Sequence, residues 1–593
     1  MKKYVLLLCS LCLLHAQNTT LNAKVYHHSE DGYPTSLDPL QSATTYANRI
    51  VTAVYDRLFE YKYLQRTPYE LKPCLAKKMP KISADGLTYT IKIKKGIYFA
   101  NDVAFQSFRN PQGNGREVIA QDFVYSIKRH FDFRNSSQGS WLWRGRIVGL
   151  DEWAHKSKSK RYTNYNEVIE GLKTIDKYTI QIKLTKPYPQ IIYTFATGFS
   201  SIVSREAVMK HKQRLRTHPV GSGPFRLTSF NRSKAVLEKN PNYRKETFDI
   251  YGDGYDENLH GFTGIKKLYG KTLPILDRVE IHFGSREQRW LSFNKKDGIQ
   301  LSDIPKFALD STLASKRSPR LKKHYAKKFH LHPHREAGLV FLVFNMEDPS
   351  FGYHPDKKRN KMNKALRKAI RKTFDWRERI DTFYYGIGEP FVGVIPPGIV
   401  GYSEFPKDSI TRDVGGAKKL LKDAGWTSEN LPLFVYPSVA SITSNRFFKQ
   451  IQGWLIDIGY PKNKILHREF STFGDLNKAM KLRKNSMNAY GWGLDYPDAE
   501  NTMMLFYGPN ASPGANAANF NHPEFNRLFE KASLMPNSPE RTKLYKLMTE
   551  ILLEECVGIF GFSRMRLTAW HKNVIAYPTS EILNNFFKYV DVK

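Results

Sequence analysis

Strand-like and helix-like segments alternate along the whole chain, and no internal repeat or low-complexity linker interrupts them. "LTYTIKIKKGIYF" (87–99) follows the turn dipeptide Asp85-Gly86 and alternates as a half-exposed strand does, whereas "VIAQDFVYSIKRHF" (118–131) has helical periodicity. "AKKLLKDAGW" (417–426) reads as a helix stopped at Gly425, and "PERTKLYKLMTEILLEEC" (539–556) as a long amphipathic helix opened by Pro539. This alternation predicts an α/β fold. A length of 593 residues exceeds what one hydrophobic core serves, so two or three domains are expected.

The N-terminus, "MKKYVLLLCSLCLLHAQ", places Lys2 and Lys3 before an apolar run from Val5 to Leu14 and then Ala16. The run is too short to span a bilayer, and the three features together predict a secretory signal, residues 1–16, cleaved near Ala16. Leu8 and Leu11 stand before Cys9 and Cys12, where a lipoprotein signal requires a small residue, so an exported chain without a lipid anchor is expected. Cys74 and Cys556 remain; export permits a disulfide, sequence alone cannot pair them, and they read as two separate buried thiols.

A formal net charge of +36 raises the question of nucleic acid. Lysines and arginines cluster at 316–335 and 357–379, but the second cluster carries Met362, Leu366, Ala369, Ile370 and Phe374 at helical spacing. Its basic residues read mostly as the wet side of an amphipathic helix, and no nucleic-acid partner is expected. The charge suits anionic membrane surfaces or acidic ligands.

Catalytic patterns are missing from the sequence: there is no G-x-S-x-G, no H-E-x-x-H, no P-loop and no paired C-x-x-C. "DIYGDGYDENLH" (249–260) resembles a calcium loop only superficially, because Tyr251 and His260 occupy ligand positions, and it reads as an acidic surface loop. His330, His332 and His334 alternate and on a strand would share a face, as metal ligands can. Pro333 interrupts them and no acid or thiol adjoins, so they read as structural or exposed, with a metal site as the lesser reading.

Read in order, "SLDPL…VTAVYDRLFEY", "LAKKMPKISADGLTYTIKIKKGIYF", "VGSGPFRLTSFNRSKAVLEKNPNYRK", "VFNMEDPSF", "NKALRKAIRKTFDWRERID", "YGIGEPFVGVIPPGI", "AKKLLKDAGW", "GWGLDYPDAENTMMLFYG" and "NFNHPEFNRLFEKA" form a series. The series resembles the ordered landmarks of the periplasmic solute-binding proteins of oligopeptide and dipeptide ABC transporters, solute-binding family 5, from about Ser36 to about Arg564. That resemblance implies a two-lobed α/β fold around a cleft, with two interlobe crossings. The first lobe would hold residues 22–285 plus 548–593, with an inserted subdomain at about 66–198, and the second lobe 286–547.

The resemblance also implies a function. The chain would bind short peptides as a monomer, without a cofactor and without catalysis, and deliver them to an inner-membrane ABC permease and its ATPase subunits. The aspartate matching Asp495 would pair with the peptide's amino group, Trp492 would form an apolar wall, and Gly491 and Gly493 would let the ligand backbone approach. Tyr496 and Asn345 complete the implied ligand-binding set. The alternative within the class is a receptor for a nickel or other metal complex using His330, His332 and His334. Two stretches depart from the pattern: the segment after "IYF", "ANDVAFQSFRNPQGNGREVIAQDFVYSIKR", and 251–273 are both longer than the common form.

Overall fold

The structure is a computed structural model that describes residues 23–593 except 31, 296–297, 579, 581 and 584–585. The signal reading of residues 1–16, with Cys9 and Cys12, lies outside the described residues. Contacts divide the chain into two compact units. The first comprises the chain up to Thr312 with Leu321–His332 and Leu567–Lys593; the second comprises Leu313–Arg320 and Pro333–Arg566. The chain thus changes unit after Thr312 and after Arg320, and again within the strands Phe329–Arg335 and Met565–His571. These limits fall later in the sequence than 285/286 and 547/548. Strand Leu301–Asp303 pairs antiparallel with Thr568–Trp570, and helix Pro539–Glu555 packs on helix Pro523–Ser533.

The first unit contains two cores. One lies on a four-stranded sheet in the order Val25–Glu30, Arg278–Phe283, Lys234–Lys239, Phe225–Phe230, whose first pair is parallel and the others antiparallel. Tyr26, Phe225, Leu237, Val279 and Ile281 meet Trp570, Phe586, Phe587 and Tyr589 there. The "GSGPF" segment precedes the last strand, and its glycines allow close approach rather than a reversed backbone. A Cβ on Gly221 would lie 2.1 Å from the Val54 carbonyl oxygen, and the Gly223 N–H donates to that same oxygen at 2.8 Å. The other core, from Leu58 to Val220, joins a second four-stranded sheet to helix Ala120–Phe131. Within it Asp85 and Gly86 make the expected turn: Gly86 has φ +70°, and the Asp85 carboxylate accepts from Leu87 N–H at 3.0 Å. The strand that follows is Thr88–Lys92, shorter than expected, and Gly96 at φ +68° reverses the chain before Phe99.

The second unit is built on an antiparallel sheet in the order Met487–Gly493, Gly338–Phe344, Gly558–Phe562 and on a parallel pair, Phe434–Val439 with Ile465–Phe470. Helix Val414–Asp423 stops at Gly425, φ +77°, as its glycine predicts. Helix Lys357–Thr373 buries Leu366, Ala369 and Ile370, and its Lys364 and Lys368 pair with Glu554 at 2.8 and 2.9 Å. Arg367 does not share their wet face. It is buried, and its guanidinium donates to the carbonyls of Phe351, Glu555 and Cys556. The carbonyls of Glu555 and Cys556 stand at the C-terminal end of helix Pro539–Glu555, where a cation is favoured.

Cys74 and Cys556 are free and buried, one in each unit. Loop 249–260 is not wholly surface: Asp253 is buried and accepts from the Lys72 ammonium at 2.8 Å. Among the described residues, no helix is long and apolar enough to cross a membrane.

Candidate functional site

Strand Met487–Gly493 runs antiparallel to Gly338–Phe344, with Trp492 opposite Leu339, Gly491 opposite Val340 and Gly493 opposite Gly338. Past the strand, Leu494 to Glu500 form a loop that the protein holds firmly. Ala499 N–H donates to the Val400 carbonyl at 2.9 Å, and the Tyr496 hydroxyl, fully buried, bonds the Glu500 carboxylate. Asp498 accepts the Glu500 N–H at 2.9 Å, at the start of the short helix Glu500–Met503. It also accepts two hydrogen bonds from the Arg541 guanidinium, at 2.7 and 2.8 Å, with both side chains 1% exposed.

Asn501 organises the other side of the loop. Its side-chain oxygen accepts from Trp492 Nε1 at 3.0 Å and from the Asp495 N–H at 3.1 Å, while its Nδ2 donates to Asp495 Oδ2 at 3.3 Å. One buried amide therefore fixes both the indole and the carboxylate that the sequence singled out. Asp495 is exposed to solvent, with the Asn501 amide and the Glu500 carboxylate beside its own carboxylate. Lost hydration pushes the Asp495 carboxyl up to about 6; the Asn501 hydrogen bond opposes this, and the neighbouring Glu500 adds to it. Among the described residues, no lysine, arginine or histidine ion-pairs with Asp495. The group is thus an anion short of a counter-charge, beside a half-buried indole face.

Gly491 and Gly493 have no left-handed φ, so their backbone does not require glycine. What they provide is space. A Cβ at Gly493 would meet nothing within 4 Å, and one at Gly491 only Leu339 O at 3.5 Å and a Val340 methyl at 3.8 Å. Gly338, across the ladder, is different: its Cβ would stand 2.4 Å from Trp492 O.

The remaining expected residues are placed elsewhere. Asn345, just past the opposite end of the partner strand, is buried, and its side-chain oxygen accepts from Asn519 Nδ2 at 2.9 Å and from Glu347 N–H at 3.2 Å. Tyr496 faces inward. Strand Phe329–Arg335 does carry His330, His332 and His334, but His330 packs between Trp570 and Phe262, with ring centroids 5.1 and 5.6 Å away, and His332 lies 4.8 Å from Tyr577. Burial lowers the His330 pKa. The three are not among the side-chain groups of the described residues that converge as metal ligands do. Asn501 and Arg541 were missed by sequence reasoning. Asn501 lies inside the "YPDAENTM" landmark but carries no charge, and Arg541 stands 43 residues from its partner.

Two solved structures share this fold over nearly the whole chain. HbpA2 from Haemophilus parasuis superposes with a TM-score of 0.71 at 20% identity, covering 96% of this chain and all of that one. The ABC transporter-associated periplasmic binding protein DppA from Helicobacter pylori, in complex with peptide STSA, gives 0.68 at 22% identity, covering 97% and 99%. The architecture is therefore that of a periplasmic binding protein. The sequence pattern of the bacterial extracellular solute-binding proteins, family 5 (middle), matches residues 70–514, and the chain belongs to that family. It is 24% identical to the dipeptide-binding protein of Escherichia coli (strain K12) over 590 residues, 97% of this chain and 96% of the other. It is also 24% identical to heme-binding protein A of Haemophilus influenzae over 506 residues, 83% and 78%.

Proposed function

We propose that this protein is the exported receptor of an ABC importer, capturing short peptides by their free amino terminus and presenting them to an inner-membrane permease and its ATPase subunits. The observation that carries the reading is Asp495: an anion that no lysine, arginine or histidine pairs among the described residues, held in place by Asn501 beside Trp492. A peptide α-ammonium supplies the missing charge and three N–H donors. Charge-assisted hydrogen bonds of that kind are about twice as strong as neutral ones. Trp492 supplies an apolar wall, and the open space over Gly493 admits a ligand backbone. The peptide class is supported by relatives named for dipeptides and for di- and tripeptides. The family assignment supports export, and we extend it to cleavage near Ala16, a soluble monomer and no lipid anchor.

The test is a calorimetric cycle. Wild type and Asp495→Asn are each titrated with a short peptide and with its N-acetylated form. Asp495→Asn keeps the shape and removes the charge, so the free-amine peptide loses about 1.5–3 kcal/mol of affinity. The acetylated peptide binds poorly to the wild type and loses little more in the variant. Simple additivity of the two changes would show that the carboxylate does not meet the amino terminus.

A further inference from the structure

A second group of chemistry-bearing side chains lies in the first unit, on the lengthened segment that departs from the family pattern. Asp102 sits in that segment. Its Oδ1 accepts from the Ala104 N–H at 2.8 Å and its carbonyl accepts from Asn114 Nδ2 at 3.0 Å, so its carboxylate is fixed in direction. Two imidazoles converge on it. His211, the last residue of helix Arg205–His211, places Nε2 2.7 Å from Oδ1, and His218 places Nε2 2.8 Å from Oδ2. The rings lie 4.4 Å apart between centroids. Lys212, at φ +48° and ψ −124°, takes a backbone conformation that non-glycine residues rarely adopt, and this bend is what returns His218 to the side of His211.

The surroundings suit a cation. No lysine or arginine ion-pairs with Asp102 among the described residues. Its charge is met instead by hydrogen bonds from the two imidazoles and the Ala104 N–H. A comparable trio, His27, Glu280 and His282, lacks that vacancy, because Lys234 already pairs with Glu280 at 3.0 Å and Arg278 lies at 3.7 Å.

We propose that Asp102, His211 and His218 form a binding site for a zinc-class divalent transition metal, outside the peptide site. Two imidazole nitrogens and one carboxylate oxygen, all within 4.8 Å of one another, make a borderline donor set suited to zinc or cobalt and poorly suited to calcium or magnesium. The Ala104 N–H orients the carboxylate as outer partners of metal sites do. On binding, the two N–H···O bonds are exchanged for two N–metal bonds, and each neutral imidazole moves its Nε2 proton to Nδ1 through solvent. The ion then fastens the lengthened segment to helix Arg205–His211.

The test uses the full exported chain, stripped with a chelator and desalted, then titrated with Co²⁺ followed by absorbance and with Zn²⁺ followed by calorimetry. One equivalent is expected, with affinity falling about tenfold or more in Asp102→Asn and His218→Ala. His218→Gln keeps an N–H donor for Asp102 but is a poor ligand. It should melt like the wild type in chelator and lack the zinc-induced rise in Tm that the wild type shows. Absence of stoichiometric uptake by the wild type, or uptake that none of the three variants weakens, would leave only a hydrogen-bonded pin and overturn the proposal.

Discussion

Asp498 and Asp495 lie three residues apart in one loop and have opposite surroundings. Asp498 is sealed, doubly bonded by Arg541 and bonded again by a backbone N–H. Asp495 is exposed, and among the described residues its carboxylate has one amide partner and no cation. A carboxylate whose charge is met inside the protein holds shape. One whose charge is left unmet can take an incoming cation, the role proposed for Asp495. The sequence shows two aspartates in "DYPD"; only the three-dimensional partners separate their roles.

The contrast is sharpest where the sealed pair is cut. Arg541→Met leaves Asp498 buried without its partner and should lower the unfolding free energy by about 3–5 kcal/mol in chemical denaturation. A loss below about 1 kcal/mol would mean that the pair does not hold the loop. Asp495→Asn should behave in the reverse way, keeping the fold while reducing affinity as described above. The substitution removes a charge that the folded state disfavours, so its Tm should be equal to or above that of the wild type.

Next in size is a pH effect. In the free protein the Asp495 carboxyl is raised to about 6, and a bound ammonium lowers it. Below pH 6 a proton must therefore be displaced on binding, and affinity for a free-amine peptide should fall by up to about tenfold per pH unit. The acetylated peptide should show no such slope, and equal slopes for both would assign the titration to another group. The smallest stability change is expected for Gly493→Ala, within about 0.5 kcal/mol, because its methyl meets no protein atom. Its peptide affinity should nonetheless drop; an unchanged value would place the ligand away from this glycine.

Local elements were legible because their signals are local. Turn residues, caps and periodicity placed the Asp85-Gly86 turn, the helix ending at Gly425 and the helix opened by Pro539. Strand 87–99 was read too long, since Gly96 breaks it by a φ that the alternation does not show. Which basic residue of helix Lys357–Thr373 turns inward, Arg367, was not legible, because helical spacing says nothing about the carbonyls of Glu555 and Cys556 far along the chain. The histidines of 330–334 do share a strand, as expected, but aromatic neighbours from distant segments surround two of them. At the site, the charge of Asp495 was visible in sequence. The amide of Asn501, which orients it, was not, because an uncharged buried hub leaves no pattern.

The core of the first unit begins with Tyr26 and is completed by Trp570, Phe586, Phe587 and Tyr589. More than 500 residues separate those two ends of one packed interior. A ribosome delivers them far apart in time, so the sheet that starts with Val25–Glu30 waits for its last neighbours until almost the whole chain has been made. Contacts of such long range form slowly and close last. The consequence is a polypeptide whose N-terminal core cannot be finished until almost its last residues are present.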